Sequence, residues 1–194
     1  VTVTLYHGLP DSLRTQAAAL YWEAFGGKLG RVMGPEPKAI AFLCNALSRD
    51  HVIIALSDQG KLLGMVGFKT FEGSFANGSD ADLHKAYGRF GAFWRAALLG
   101  LLQQSVENER FLLDGICVTA DARGQGIGSL LLEAICTEAK ARGYTGIRLD
   151  VVTSNLRAQR LYERLGFTVL QTESMGLLRF VFGFKTSTAM VKAL

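Results

Sequence analysis

Residues 111–128 read Phe-Leu-Leu-Asp-Gly-Ile-Cys-Val-Thr-Ala-Asp-Ala-Arg-Gly-Gln-Gly-Ile-Gly. The apolar run Phe111 to Val118 has the character of a strand, and apolar residues from Ile127 to Arg142 recur at helical spacing. Between them, Arg123-Gly124-Gln125-Gly126-Ile127-Gly128 forms a glycine-rich turn that opens a helix. Such a junction aims several unpaired backbone N–H groups and the positive end of a helix dipole at one point, which suits a phosphate group. The chain is therefore expected to bind a phosphorylated cofactor. A P-loop would need Gly-Lys-Ser/Thr at its end, whereas Gly126 is followed by Ile127 and Gly128. A dinucleotide fingerprint would need Gly or Ala where Ser129 stands, and the four residues Thr119 to Ala122 already separate the strand from Arg123.

The segment does match Arg/Gln-x-x-Gly-x-Gly/Ala, and a second segment follows at a matching distance. After Gly143 come a strand, Gly146 to Val152, then Thr153-Ser154-Asn155 and a helix that ends near Gly166. Leu149-Asp150-Val151-Val152 through Asn155, Leu161-Tyr162-Glu163 and Leu165-Gly166-Phe167 complete the pattern. Over residues 111–170 the chain resembles the GCN5-related N-acetyltransferase (GNAT) superfamily. Ala120 replaces the proline often found there, which loosens the turn slightly. The resemblance implies an α/β fold with a mixed, mostly antiparallel central sheet and helices on both faces. It also implies acetyl-CoA as cosubstrate, an amine acceptor, direct transfer in a ternary complex, and no metal.

The residues themselves supply a candidate for each chemical task. The amides of Gly124, Gln125, Gly126, Ile127, Gly128 and Ser129 line the phosphate turn, and Arg123 either adds charge or fixes it. The resemblance implies that backbone groups of Ile116, Cys117 and Val118 pair with the pantetheine arm as an added strand would. Gly115 in that strand marks a bulge or a close backbone approach. Asn155 matches the family's cofactor-contacting amide and is equally placed to cap the helix starting at Leu156. Tyr162 matches the family tyrosine that protonates the leaving thiolate. It also lies on the apolar stripe Ala158, Leu161, Tyr162, Leu165, where a tyrosine serves as core. For the base that takes the amine's proton, Asp150 and Asp114 compete. Asp150 corresponds to the acidic position used by family members that acetylate ribosomal-protein N-termini. Asp114 interrupts an apolar strand on the face of Leu112 and Ile116, and either aspartate could instead satisfy backbone or an arginine such as Arg148. A noncatalytic acyl-CoA-binding module is the rival reading.

With 194 residues, 49% of them hydrophobic and 20% charged, the chain suits one globular domain, 1–194. Cys44, Cys117 and Cys136 lack metal-ligand spacing and read as reduced thiols, so a cytoplasmic location is expected. No apolar run reaches the roughly 18 to 20 residues of a membrane span. The net charge of +4 favours an anionic cofactor but is spread too evenly for a nucleic-acid surface.

Outside the motifs, the spacing predicts a strand over Val1 to Tyr6, a helix over Ser12 to Phe25 stopping at Gly26-Gly27, and a helix over Lys38 to Leu47. Val52 to Ser57 and Leu62 to Phe71 form a hairpin about Asp58-Gln59-Gly60-Lys61, and late strands span Phe167 to Thr172 and Leu177 to Val191. A helical insertion, residues 72–110, falls between the third and fourth strands. Its apolar residues Leu83, Ala86, Tyr87, Phe90, Phe93, Trp94, Ala97, Leu98, Leu101 and Leu102 form one helical stripe that faces the sheet, an acceptor lid or a homodimer contact.

Overall fold

The computed structural model describes residues 2–100 and 110–194. Its elements run β1 (Val3–His7), α1 (Arg14–Met33), α2 (Glu36–Ala46), β2 (Val52–Ser57), β3 (Leu62–Thr70), the short β4 (Gly73–Ser74) and α3 (Asp80–Gly100). They continue β5 (Arg110–Val118), α4 (Ile127–Ala141), β6 (Gly146–Val152), α5 (Leu156–Arg164), β7 (Thr168–Ser174), α6 (Arg179–Phe182) and β8 (Thr186–Ala193). The sheet order is β1-β2-β3-β5-β6-β8-β7, with β4 paired to β3. Every pairing is antiparallel except β5 with β6. The expected mixed, mostly antiparallel α/β sheet with helices on both faces is thus observed.

Alternation along the strands divides the core in two. One face of the sheet packs on α1 and α2 through residues such as Ile54, Met65 and Cys117, all buried with Ala17, Ala18 and Leu43. The other packs on α4 and α5 through Ile53, Val66, Phe68 and Phe111, with Leu131, Ile135 and Tyr162. Side chains of this size each contribute roughly 1.5–3 kcal/mol on full burial, so both helical layers are anchored by the sheet rather than by intrinsic propensity.

Three sequence expectations are corrected. Helix α1 does not stop at Gly26-Gly27 but runs on to Met33. The Trp22 ring covers Gly26, where an added Cβ would lie 3.0 Å from it, and burial of Val32 and Met33 at the far end outweighs the roughly 1 kcal/mol cost of each helical glycine. The late strand starts at Thr186, because Gly176 and Gly183, both with positive φ, bracket a helical turn that seats Phe182 in the core. The insertion's stripe is broken by the non-helical Gly88, φ 71° and ψ 172°, which rotates the two halves of α3. Leu83 and Ala92 are buried, whereas Phe90 and Phe93 are 95% and 80% exposed. Leu101 and Leu102 lie outside the described residues, as does Val1. The hairpin turn is as expected, with Gly60 at φ 74° and Ser57 donating its N–H to Lys61.

Candidate active site

The parallel pair β5–β6 is short. Its register runs from Arg110 opposite Gly146 to Leu112 opposite Arg148 and then ends. Beyond that point β5 stays paired with β3 to Val118, and β6 stays paired with β8 to Val152. The facing edges of 113–118 and 149–152 therefore diverge and leave backbone groups open between them.

A bulge coincides with the parting. Gly67 pairs with Gly115 but Phe68 pairs with Leu113, so Asp114 is the extra residue, and a bulge of this kind bends its strand. It also reverses the alternation: Phe111 and Leu113 face the α4 side before it, Ile116 and Val118 after it. Asp114 consequently does not share a face with Ile116, contrary to the simple alternation expected from sequence. The paired glycines admit an aromatic cluster. A Cβ on Gly115 would fall 2.8 Å from the Phe25 ring, and one on Gly67 would fall 2.4 Å from Phe75. Tyr21 joins the two rings, with centroids 4.5 Å from Phe25 and 6.0 Å from Phe75.

At the end of β5, a 3-10 turn over Ala120–Ala122 leads into the glycine turn. Gly124 and Gly126 both have φ 84°, a left-handed conformation that glycine adopts without penalty. Gly126 caps α4, and the first backbone bond of the helix runs from Leu130 N–H to the Gly126 carbonyl. Among the described residues, no backbone or side-chain acceptor meets the amides of Gly124, Gln125, Gly126, Ile127, Gly128 or Ser129. These are the orphan donors of a helix start, gathered at its positive end.

Arg123 fixes this turn. Its Nε donates to the Val118 carbonyl at 3.1 Å, and its Nη2 meets Glu23 of α1 at 2.7 Å. Gln125 donates from Nε2 to the Asp121 carbonyl at 2.8 Å and its side chain does not line the cleft. Ile127 is 2% exposed, so it offers only its amide and anchors α4 in the core.

One cleft of about 1420 Å³ joins these features. It exceeds the roughly 300–1,000 Å³ of ordinary small-molecule pockets, which leaves room for a cofactor and an acceptor together. Ile116, Cys117, Val118, Arg123, Gly124, Gly126, Ile127, Gly128, Ser129, Asn155, Tyr162, Asp114 and Asp150 all line it. Asn155 caps α5, its Oδ1 accepting the Ala158 N–H at 3.2 Å, which leaves the side-chain NH₂ toward other partners. Tyr162 is 6% exposed, with its ring 5.9 Å from Phe167, and its hydroxyl makes no hydrogen bond among the described residues. Burial pushes its pKa up to about 12.

The two aspartates differ in setting. Asp114 is partly open to the cleft yet surrounded by protein, and it accepts the Ala76 N–H at 2.9 Å. Desolvation raises its carboxyl above the usual range, against the opposing pull of that N–H and of Lys69. Asp150 receives Arg148 Nε at 3.4 Å on the cleft side of β6. Cys117 is buried, and desolvation pushes its thiol far up, so the sulfur stays protonated. Among the described residues, no group of three or more His, Cys, Asp or Glu side chains is arranged to hold a metal ion, and no helix is long and apolar enough to cross a membrane.

Sequence reasoning missed the α1 wall of the cleft, formed by Tyr21, Trp22, Phe25 and Lys28, and its neighbour Phe184. Their spacing, Tyr21, Phe25 and Lys28 at i, i+4 and i+7, was the available signal, hidden by treating Gly26-Gly27 as a stop.

The family model described as Acetyltransferase (GNAT) family matches residues 15–167. Over 122 residues the chain is 32% identical to streptothricin acetyltransferase of Escherichia coli, covering 62% of this chain and 69% of that protein. It is 41% identical over 66 residues to the [ribosomal protein bS18]-alanine N-acetyltransferase of Escherichia coli K12, covering 34% of this chain but only 44% of that relative. Among solved structures, an acetyltransferase superposes with TM-score 0.64 at 20% identity, covering 98% of both chains. A Bacillus anthracis structure described as a streptothricin acetyltransferase in complex with acetyl coenzyme A gives TM-score 0.51 at 16% identity, over 74% of this chain and 61% of that one. These likenesses show a shared fold. With an open glycine turn, a parted strand pair and a family match over most of its length, the chain belongs to the GNAT acetyltransferase family of acetyl-CoA-dependent enzymes.

Proposed function

We propose that this single-domain enzyme transfers the acetyl group of acetyl-CoA directly to a primary amine of a small molecule or protein, within a ternary complex. The observation that carries the reading is the shared cleft: Gly124, Gly126, Ile127, Gly128 and Ser129 with their unpaired amides, the open edge of β5, Asp114, Asp150 and Tyr162 all line one space. In this reading the amides hold the pyrophosphate, and Ile116, Cys117 and Val118 pair with the pantetheine as a strand would. Asn155 adds its side-chain NH₂. The carbonyl carbon of the thioester is then fixed beside the acceptor, which converts a bimolecular encounter into an oriented one.

The protonated amine must shed two protons, one to a base before it attacks and one that ends on the departing sulfur. An acceptor amine with a pKa near 10 arrives protonated, and Asp114 or Asp150, directly or through water, takes that proton. Tyr162, held in its protonated form by burial, faces the leaving thiolate. The protonated Cys117 argues for direct transfer, because a thiol held far from its thiolate form is a poor nucleophile. The test is thiol release from acetyl-CoA across a panel of primary amines, with calorimetric coenzyme A binding on the same protein. Binding with turnover is expected; binding without turnover on any amine would favour a noncatalytic acyl-CoA module.

The aspartates are separated by stability and rate together. A carboxyl whose folded pKa is raised binds more protons folded than unfolded, so its contribution to stability falls as pH rises above about 4. Asp114→Asn keeps an oxygen for the Ala76 N–H but cannot titrate. The variant's stability relative to the native protein is therefore expected to rise between pH 4 and pH 7, read from urea midpoints at both. A constant difference would mean that Asp114 titrates normally. If Asp114 is also the base, the same variant loses roughly 10²–10⁴-fold in rate, whereas Asp150→Asn carries that loss if the base is Asp150.

A further inference from the structure

Helix α1 distributes three different contacts along the cleft. Glu23 pairs with Arg123 at the phosphate turn, and Phe25 lays its ring against Gly115. One turn on, Lys28 holds Nζ 5.5 Å from the centre of the Phe25 ring and 6.0 Å from that of Phe184. The residues around this end of the cleft, Tyr21, Leu29, Met33 and Phe42, are apolar or aromatic.

Lys28 is partly buried, lines the cleft, and makes no ion pair among the described residues. Several other charged groups that line the same cleft have partners of their own: Arg123 with Glu23, Asp114 with the Ala76 N–H, and Arg148 with Asp150. Aromatic faces attract an ammonium but do not neutralise it. A partly desolvated cation without a counter-ion is costly to keep, and an incoming anion removes that cost. Desolvation lowers the Lys28 pKa, and a bound anion would raise it again.

The geometry points to an acceptor that carries a carboxylate close to its primary amine on an apolar body, as a free apolar amino acid does, with Lys28 as the residue that selects it. This rests on the transferase reading above. In that reading the acceptor nitrogen reaches the thioester beside Gly115–Cys117. The Phe25 ring touches Gly115 and Lys28 Nζ lies 5.5 Å from the centre of that ring, so the ammonium stands on the same wall of the cleft, across the Phe25 ring from the acceptor nitrogen, where it attracts an anionic group carried beside that nitrogen. A polycation, by contrast, would meet Lys28 as a like charge.

The test compares matched probes, L-phenylalanine, L-leucine and L-methionine against 2-phenylethylamine, isoamylamine and 3-(methylthio)propylamine, by thiol release with the native enzyme and the Lys28→Met and Lys28→Arg variants. The native enzyme is expected to prefer the carboxylated member of each pair in kcat/KM. Lys28→Met should reduce that preference about 10- to 100-fold, chiefly through KM, and Lys28→Arg should restore most of it. Taking the change in preference between native enzyme and variant cancels the intrinsic reactivity of each amine. The Kd for coenzyme A is expected to be the same in all three proteins. Equal turnover of both members, a preference for the bare amines, or a preference that survives in Lys28→Met would overturn the inference while leaving the transferase reading intact. A Kd for coenzyme A that rises in Lys28→Met would assign the lysine to the cofactor and overturn it too. No turnover on either set, with coenzyme A bound, would overturn the inference while leaving the transferase reading to the wider amine panel.

Discussion

Gly126→Val is expected to raise the Kd for coenzyme A by at least about a hundredfold while leaving a folded protein. Two effects act at this position. Valine is β-branched and Gly126 has φ 84°, so the local backbone must either bear the strain or move, at a cost of roughly 1–3 kcal/mol. An added Cβ meets no protein atom within 4 Å, so the new side chain enters the open space of the cleft beside the free amides, where the phosphates would lie. Hydrogen bonds to a charged group are each worth about 1.5–3 kcal/mol, and losing two weakens binding by two to four orders of magnitude. Gly143→Val supplies the control. That glycine has φ 82° and equally open surroundings, but follows the other end of α4 and does not line the cleft. It should cost comparable stability and leave the Kd unchanged. A Gly126→Val protein that binds coenzyme A within about threefold of the native one would mean that the phosphates are held elsewhere.

What was legible beforehand was local. The strand, glycine turn and helix from Phe111 to Arg142 could be read because each feature is set by near neighbours: apolar alternation, positive-φ glycines and a helix start. Asn155 and Tyr162, two turns apart on one short helix, were legible for the same reason. The parting of β5 from β6 was only hinted at by Gly115, because it depends on the register with β3, where Gly67 and Phe68 take partners that skip Asp114. The α1 wall was missed because a Gly-Gly pair is a helix stop by propensity, and only the tertiary contacts of Val32, Met33 and Trp22 reverse that outcome. The broken stripe of α3 shows the opposite error: regular spacing across residues 83–98 suggested one face, while a single positive-φ residue, Gly88, turned Phe90 and Phe93 out to solvent.

Tyr162→Phe is expected to lower kcat roughly ten- to a thousandfold with little change in coenzyme A affinity. The ring is buried against Phe167, and phenylalanine preserves that packing. The hydroxyl makes no hydrogen bond among the described residues, so its removal should alter folding stability by no more than about 1 kcal/mol. A rate loss in this variant is thus chemical rather than structural.

The magnitude follows from the two pKa values. Tyr162 is pushed up to about 12, whereas an ordinary thiol titrates near 8.5, so complete transfer of the phenol proton to an isolated thiolate would be uphill by about 5 kcal/mol. Donation is therefore expected to develop with C–S cleavage, as a hydrogen bond to the growing negative charge. The phenol's proton reaches sulfur as the phenol recovers one from the nitrogen, which becomes acidic on attack. Because burial keeps the hydroxyl protonated well above neutral pH, the variant should lose rate by the same factor from pH 6 to pH 9, without a new limb in the profile. A loss confined to one end of that range would point to a different titrating group. An unchanged kcat would leave Tyr162 as a core residue of α5, with the proton reaching sulfur from water.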